Sequence, residues 1–160
     1  FIGPIINSSQ IEKIENYVEE TIKQGAKVAL EGKTEGSVVH PWILTDVTNN
    51  MPTACNEVFG PVISVIRTKS EEEAIDIAND TIYGLSGSVF TKDLYHGMEV
   101  AKQIKSGMVH VNDQSINDEP HVMFGGEKAS GLGRFNGEWV INKFTTDRWI
   151  SVQVKERKFF

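Results

Sequence analysis

The stretch from Pro61 to Asp113 reads "PVISVIRTKSEEEAIDIANDTIYGLSGSVFTKDLYHGMEVAKQIKSGMVHVND". Three β-branched runs of strand type in it, "VISVIRT", "LSGSVFT" and "MVHVND", alternate with two segments of helical period, "SEEEAIDIANDT" and "DLYHGMEVAKQIKSG". Ser70 and Glu73 have the spacing of a capping box, and Gly107 is placed to close the second helix. Because such alternation is typical of a parallel sheet with crossover helices, we predict an α/β fold.

A further helix is predicted upstream, from Ser9 to about Gly25, where the apolar residues recur at helical spacing. Ser9 and Glu12 have the capping-box spacing, and Gly25 can adopt the left-handed conformation that ends a helix. The segments "AKVALEG" and "WILTDV" that follow are predicted to be strands. The predicted apolar stripe of the helix consists of Ile11, Ile14, Val18 and Ile22.

Composition excludes several classes of function. A chain of 160 residues with 39% hydrophobic residues can bury a core, so disorder is not expected. The net charge of -6 argues against a nucleic-acid partner. No apolar run approaches the roughly 20 residues that cross a bilayer, and we expect no membrane partner and a cytoplasmic location.

The single cysteine, Cys55, excludes an internal disulfide framework and a thiolate metal cluster. A catalytic thiolate needs a nearby base or a helix N-terminus, and the neighbouring side chains of Cys55 are Asn56 and Glu57. We therefore expect Cys55 to be an ordinary side chain. The four histidines show no metal-binding spacing, so no metal site is predicted. They are His40, His96, His110 and His121.

The glycine-rich stretch "FGGEKASGLGR", from Phe124 to Arg134, lies in a long polar loop that runs from Asp113 to Asn136. Its glycines do not match the phosphate-binding pattern G-x-G-x-x-G, and no strand leads directly into them. We interpret them as residues that let the loop turn sharply beside a neighbouring surface, in preference to direct ligand contacts. Loops of this length in compact domains are usually functional.

Glu57 and Phe59 lie two residues apart in "NEVFGPVISV", just before a predicted strand. An extended backbone would project both side chains to the same side. A carboxylate can accept hydrogen bonds from a ribose diol, and an aromatic face can bound a flat ring. The alternative is that Phe59 belongs to the core and Glu57 to the surface, and these residues alone favour neither interpretation.

Four motifs together resemble the aldehyde dehydrogenase superfamily: "EVFGPVISV", "AIDIANDTIYGLSGSVFT", "GMVHVND" and "FGGEKASGLGR". The resemblance covers essentially the whole chain, in order. The segments "NDQSINDEPH", "GRFNGEW" and "FTTDRWISVQ" are similar to the branch of that family that oxidises aromatic aldehydes such as benzaldehyde, salicylaldehyde and vanillin. The resemblance implies that the chain is the C-terminal part of the family's catalytic domain.

The activity implied by the resemblance is oxidation of an aldehyde to the carboxylic acid, with NAD or NADP as cofactor and a cysteine thiolate as nucleophile. The family's nucleophilic cysteine, general-base glutamate and oxyanion-hole asparagine have no matching positions here. We therefore expect no catalytic residue in this chain, and we expect the chain to be inactive alone. The alternative is a non-catalytic module that folds and associates by itself.

Three residues match family positions with known roles. By resemblance, Glu57 hydrogen-bonds the nicotinamide ribose and Phe59 abuts the nicotinamide. Phe124 matches an aromatic residue in the wall of the substrate tunnel, and the loop from Asp113 to Met123 is expected to shape aldehyde specificity. The family usually has proline before that aromatic residue, whereas Met123 occupies the position here.

The chain is expected to have two parts. Residues 1–144 are predicted to belong to the catalytic domain, and residues 145–160 are predicted to form an oligomerisation strand and tail, with "WISVQVK" as the strand. An unpaired strand with apolar side chains favours pairing with a second copy, so a homo-oligomer is expected. The choice between NAD and NADP stays open, since the residues that read the adenosine ribose belong upstream.

Overall fold

The computed structural model describes residues 3–158. By their internal contacts these residues form two compact units, which meet in sequence between Thr81 and Ile82. The elements of the first unit are α1 (Ser8–Lys23), β1 (Lys27–Leu30), β2 (Thr34–Glu35), β3 (Val38–Val39), β4 (Trp42–Thr45), α2 (Pro52–Cys55), β5 (Val62–Ser64) and α3 (Glu71–Asn79). Those of the second are β6 (Ser86–Val89), α4 (Leu94–Ala101), β7 (Met108–Val111), a 3-10 turn (Lys128–Ser130) and α5 (Trp139–Phe144).

Helix α1 confirms the predicted apolar stripe, with Ile14 and Val18 buried. Its start differs from the prediction, because the Asn7 side chain caps it by accepting a hydrogen bond from the Gln10 N–H. Ser9 lies inside the helix, so the predicted Ser9–Glu12 capping box is wrong. Asn and Ser are equally good caps, and here the Ser9 hydroxyl donates to Asn7 Oδ1 at 2.9 Å.

The C-terminus of α1 agrees with the prediction. Gly25 has φ +111°, its N–H donates to the Ile22 carbonyl at 2.9 Å, and the Ala26 N–H donates to the Thr21 carbonyl at 3.3 Å. These two bonds define a Schellman motif, which satisfies carbonyls left free at a helix end. Helix α1 therefore ends where its glycine was predicted to end it.

Helix α3 begins as predicted, with the Ser70 side chain accepting from the Glu73 N–H at 3.2 Å. Helix α4 is shorter than predicted, since it ends at Ala101 and does not reach Gly107. The Gly107 N–H instead donates to the Gly84 carbonyl. Gly107 is thus a residue of close backbone contact and not a helix cap.

The strands form three separate sheets. In the first unit the order is β1-β4-β5, with β1 and β4 antiparallel and β4 and β5 parallel, and β2 and β3 form an antiparallel hairpin. In the second unit β6 and β7 are parallel, with α4 between them in sequence. The predicted mixture of helices and strands is therefore present, with parallel pairing of β4 with β5 and of β6 with β7, and β5 does not join the sheet of β6 and β7.

The hydrophobic core of the first unit lies between α1 and the three-stranded sheet. It is a cluster of buried side chains, namely Val18, Ala26, Leu44, Val47 and Met51. Thr21 is buried beside it, where its hydroxyl accepts a hydrogen bond from the Thr53 N–H at 3.1 Å. This contact joins α1 to α2 directly upstream of the segment that contains Glu57.

In the second unit the ends of the two strands are joined by one side chain. Asn112, with φ +58°, follows β7. Its amide accepts from the Thr91 N–H and donates to the Thr91 carbonyl, both at 2.7 Å. The long loop therefore starts from a fixed position at the carboxyl end of β7.

Residues 145–158 belong to no sheet, and their apolar side chains are exposed. A strand needs hydrogen bonds from a partner, and this single chain provides none for the segment. The predicted oligomerisation strand and the boundary at residue 144 stay predictions. Within the part of the chain that the structure describes, no helix is both long and apolar enough to span a membrane.

Candidate functional site

The segment from Glu57 to Gly60 is held against helix α1 through its carbonyl groups. Gln10 Nε2 donates to the Val58 carbonyl at 2.7 Å, and Lys13 Nζ lies 3.4 Å from the Glu57 carbonyl oxygen. Gln10 and Lys13 are three residues apart and lie on the same face of α1. Because the contacts use backbone oxygens, they fix the segment while leaving its side chains available.

Gly60 brings this segment still closer to the helix. A Cβ at Gly60 would lie 2.8 Å from Cγ1 of Ile14, closer than real Cβ contacts allow. Ile14 is itself fully buried. The absence of a side chain at Gly60 is therefore needed for the segment to pack on α1.

Phe59 adopts an unusual backbone conformation at an exposed position. Its φ is +50° and its side chain is 72% exposed. The prediction that an extended backbone projects Glu57 and Phe59 to one side is therefore wrong, as a left-handed residue interrupts the extended chain. A left-handed conformation costs an aromatic residue about 1–2 kcal/mol, and burial of the ring does not repay it here. Strain of this kind clusters at ligand-binding positions.

The Glu57 carboxylate is exposed, and no hydrogen bond to it is formed by any residue from 3 to 158. An ionised carboxylate offers about four acceptor sites, so it can receive both hydroxyls of a vicinal diol. The exposed ring of Phe59 lies two residues away on the same fixed segment. The segment therefore presents a carboxylate with free acceptor sites and an exposed aromatic ring, and their roles toward a cofactor stay predictions.

Cys55 lies at the end of α2 and is exposed. Its thiol donates to the Asn50 carbonyl at 3.6 Å and accepts from Asn56 Nδ2 at 3.3 Å. Neither partner can remove a proton from the thiol. This environment agrees with the expectation that Cys55 is not a nucleophile. No group of three or more potential ligand side chains within residues 3–158 could hold a metal ion.

In the second unit, Phe124 lies where two parts of the glycine-rich loop meet. Its N–H donates to the Phe135 carbonyl at 2.9 Å, and the Phe135 N–H donates back at 2.7 Å. The Phe124 side chain is half-buried. The pair closes the loop around the four glycines, which places the Phe124 ring at a fixed point.

Arg134 fastens the same loop. Its Nη1 donates to the carbonyls of Gly126 at 3.1 Å and Gly133 at 3.0 Å, and its Nη2 forms an ion pair with Glu127. The loop also packs closely on the start of β7. A Cβ at Gly107 would collide with the Gly125 carbonyl group. Gly125 and Gly126 are residues of close approach, as interpreted, whereas a Cβ at Gly131 would have its nearest neighbour at 3.5 Å.

A cavity of about 360 Å³ lies between β7 and the loop that follows it. This volume is within the range of small-molecule sites. Met123, which replaces the family's proline, lies in its wall. The lining residues are Gly107, Met108, Val109, His110, Asn117, Asp118, Glu119, Val122 and Met123. The lining therefore combines apolar side chains from both the strand and the loop with acidic side chains from the loop.

Two polar atoms near the cavity are buried without a hydrogen-bond partner among the described residues, Ser88 Oγ and His110 Nε2. Ser88 and His110 are register partners on the parallel strands β6 and β7. Because His110 Nε2 is sealed from solvent, a ligand in the cavity cannot reach it. We therefore assign it no contact with a ligand.

The structure thus places the three predicted residues in two groups. Glu57 and Phe59 share one short segment of the first unit, and Phe124 belongs to the loop of the second unit. Sequence reasoning missed Gln10, Lys13 and Phe135, which hold these segments in place. The glycine-rich turn between Phe124 and Phe135 could have suggested that these two residues pair. No local pattern in the sequence reports the contacts of Gln10 and Lys13, because they join α1 to a segment more than 40 residues away.

The sequence matches the aldehyde dehydrogenase family over residues 1–150. The chain therefore belongs to the aldehyde dehydrogenase family. It is 51% identical to a vanillin dehydrogenase of Corynebacterium glutamicum over 95% of this chain and 31% of that protein. It is 53% identical to the benzaldehyde dehydrogenase YfmT of Bacillus subtilis over 99% of this chain and 33% of that protein.

Two solved structures resemble the fold closely. A salicylaldehyde dehydrogenase from Pseudomonas putida G7, solved with salicylaldehyde, has a TM-score of 0.90 at 39% identity and matches 99% of this chain and 33% of its own. A Mycobacterium tuberculosis aldehyde dehydrogenase, solved with NAD+, has a TM-score of 0.85 at 39% identity over 91% of this chain and 31% of its own. The chain spans about a third of the length of these relatives.

Proposed function

We propose that this chain is part of an NAD(P)-dependent dehydrogenase that oxidises an aromatic aldehyde to its carboxylic acid. The observation that carries the proposal is the segment from Glu57 to Gly60, where a strained, exposed Phe59 lies beside a carboxylate with free acceptor sites. Support for the substrate class comes from the relatives that share half of this sequence, which are a vanillin and a benzaldehyde dehydrogenase.

In this proposal the first unit positions the cofactor. NAD or NADP, when bound, supplies the hydride acceptor for the oxidation. The Glu57 carboxylate accepts hydrogen bonds from the nicotinamide ribose, and the Phe59 ring bounds one side of the nicotinamide. Because α1 holds the backbone of the segment through Gln10 and Lys13, these groups are oriented before the cofactor arrives.

The second unit bounds the substrate. Phe124 provides an apolar wall for an aryl ring, and the loop from Asp113 to Met123 shapes the space beside it. The hydrogen bonds of Phe124 to Phe135 and of Arg134 to the loop carbonyls keep this wall rigid. Residues 145–160 extend from the catalytic part to join a second copy through a strand, for which the exposed side chains of Trp149 and Ile150 provide apolar surface.

The chain carries none of the groups that do the chemistry. The nucleophilic thiol lies elsewhere in the intact enzyme, because Cys55 has no base within hydrogen-bond reach. The 160 residues alone are therefore inactive. The second candidate is a non-catalytic module that associates with its own copies, and the exposed apolar tail favours it.

A chimera tests the assignment of Glu57. This chain would replace the matching third of the Bacillus subtilis benzaldehyde dehydrogenase, and the hydride-transfer rate would be measured in a single turnover. Glu57→Gln is expected to slow hydride transfer about a hundredfold with little change in the KM for benzaldehyde, since a misplaced nicotinamide reacts slowly. The matched control is Glu12→Gln, an exposed residue of α1.

An unchanged single-turnover rate in Glu57→Gln would remove the assignment. The 160-residue chain without its fusion partner serves as the blank in the same assay, with benzaldehyde and NAD+. Appreciable NADH formation by this blank would show that the chain does not depend on a thiol from elsewhere.

A further inference from the structure

Two hydrogen bonds tie the wall of the cavity beside β7 to a turn formed by Asn136 and Gly137. Asn136 Nδ2 donates to Asp118 Oδ1, and the Gly137 N–H donates to the Pro120 carbonyl, both at 3.1 Å. Asp118 lines the cavity, and so do its two neighbours in sequence. The Asn136–Gly137 turn therefore holds the segment that provides the acidic part of the lining.

Asn and Gly suit the backbone of this turn. Asn136 has φ +63° and Gly137 has φ +48°, so two consecutive residues are left-handed. Asn tolerates that conformation better than most residues, and Gly adopts it without strain. Gly137 meets a second requirement, because a Cβ there would lie 2.7 Å from the His121 carbonyl oxygen. The turn can therefore lie directly against residues 118–121.

The segment that the turn contacts is anchored on both sides. Phe124 and Phe135 exchange two backbone hydrogen bonds on one side. On the other side the Ser86 hydroxyl of β6 donates to the Ser115 carbonyl at 2.7 Å. Residues 118–121 lie between these anchors and are exposed to solvent, so side-chain packing does little to hold them. The hydrogen bonds from the turn are therefore what fixes this part of the wall.

The Asn136 side chain matches Asp118 in chemistry. An ionised carboxylate accepts hydrogen bonds and cannot donate, so its partner needs an N–H or O–H group. Hydrogen bonds to a charged acceptor are stronger than neutral ones, and Asn136 is half-buried, which limits competition from water. An aspartate at position 136 has the same shape, but it would place a second negative charge against Asp118.

We propose that Asn136 and Gly137 are positioning residues for the candidate substrate pocket, because they hold residues 118–121 in place before an aldehyde binds. The inference rests on the proposed function and adds to it two residues that are not part of the cavity lining. A preformed wall favours binding, since no ordering of the loop has to accompany it. Loss of the turn's contacts therefore raises the KM for the aldehyde, whereas hydride transfer from bound aldehyde keeps its rate.

The test uses the chimera with the Bacillus subtilis benzaldehyde dehydrogenase, and the decisive variant is Asn136→Asp. The KM for benzaldehyde is expected to rise about tenfold, while the single-turnover hydride-transfer rate at saturating benzaldehyde stays within about twofold of the parent rate. Asn142→Asp makes the same change at an exposed position of α5 and should leave both quantities unchanged.

Exchanging the two side chains separates this contact from a general loss of structure. Asp118→Asn combined with Asn136→Asp restores one donor and one acceptor, and it is expected to return the KM to within about twofold of the parent value. Asp118→Asn alone leaves two amides that can still form a neutral hydrogen bond, so a rise of less than about threefold is expected.

Hydrogen exchange of the same variants gives a readout that does not depend on activity. Exchange in residues 118–123 should become faster in Asn136→Asp and recover in the double variant, with exchange in β6 and β7 unchanged. Faster exchange throughout the second unit would instead show that the variant loses structure in general, and it would overturn the positioning role.

The inference is also overturned if Asn136→Asp leaves the KM unchanged, if the exchanged pair does not lower a raised KM, or if the hydride-transfer rate falls as much as the KM rises. A chimera that responds to Glu57→Gln but not to Asn136→Asp would contradict this inference alone. If the chimera is inactive, the proposed function fails. The dissociation constant of benzyl alcohol for the same variants then decides the inference, with the same pattern of loss and recovery expected.

Discussion

The two units differ in what they bury. Eight hydrophobic residues among those described are buried, and all of them belong to the first unit. In residues 82–158 the fully buried positions are all glycines, namely Gly84, Gly97, Gly125 and Gly126. The first unit is therefore stabilised by a side-chain core, and the second by close contacts between stretches of backbone.

This difference bears on function. The second unit leaves large apolar side chains exposed, with Phe90 at 71%, Tyr95 at 85% and Trp149 at 92%. Apolar surface on this scale usually marks a place where another surface binds. This exposed apolar surface agrees with the finding that the chain spans about a third of the length of its relatives. The first unit holds its candidate residues on a core, whereas the second holds them on a hydrogen-bonded loop.

The largest expected effect on stability is that of Leu44→Ala, at a fully buried position of β4 in the first unit. The lost contacts and the cavity left behind are expected to reduce the free energy of unfolding by about 3 kcal/mol. Leu85→Ala, at a position of the second unit that is 41% exposed, should cost less than about 1 kcal/mol. Urea denaturation measures both, and equal losses would mean that the units do not differ in this way.

The second unit should respond instead to an added methyl group where its backbone segments meet. Gly107→Ala places a Cβ against the Gly125 carbonyl group and is expected to destabilise the unit by about 2 kcal/mol. In Gly131→Ala the new Cβ has its nearest neighbour at 3.5 Å, so a change within about 0.5 kcal/mol is expected.

Native-state hydrogen exchange of the second unit's amides measures this effect apart from the first unit. Faster exchange of the β6 and β7 amides in Gly107→Ala, with exchange in α1 unchanged, is the expected pattern. Equal effects of the two alanine variants would contradict the role of close backbone contact.

The smallest effect concerns surface charge in the first unit. A hydrogen bond from Lys27 at 2.7 Å, together with its charge and that of Arg67, holds the pKa of Asp46 below its ordinary 3.8. A lowered pKa stabilises the fold above the unfolded-state value and loses that contribution as the pH falls through the folded-state value. Because the pair is exposed to solvent, the contribution is small.

Asp46→Asn is therefore expected to lower stability slightly at neutral pH, and its difference from the parent chain should vanish well below pH 3.8. Asparagine tolerates the left-handed backbone of this position, which has φ +54°. Thermal unfolding at a series of pH values measures the difference, with Asp147→Asn as a control in the exposed tail. A difference that persists in acid would point to a cause other than charge.

Much of the fold could be predicted because it depends on neighbours in sequence. The α1 stripe, the Gly25 end of α1 and the Ser70 cap are all local features. The wrong predictions concern helix ends at which more than one local structure was possible. Asn7 and Ser9 both make good helix caps, and the helical period after Ala101 continued beyond the residues that form α4.

The residues of the candidate site stay predictions, and the sequence did not predict their geometry. Glu57, Phe59 and Phe124 were identified from motifs. The left-handed backbone of Phe59, however, depends on the contacts of α1 with residues 57–60, and no period in the sequence reports them. The cavity that Glu119 lines likewise forms only when the loop returns beside β7.

The amino-acid sequence by itself determined the types of element, the turns that need glycine and membership of the aldehyde dehydrogenase family, because these depend on propensities and motifs within short segments. Tertiary structure alone decided which strands pair, which backbone conformation Phe59 adopts and where the cavity beside β7 lies. Those features depend on contacts such as that of Gln10 with Val58, 48 residues away, whose geometry is set by packing of the whole unit.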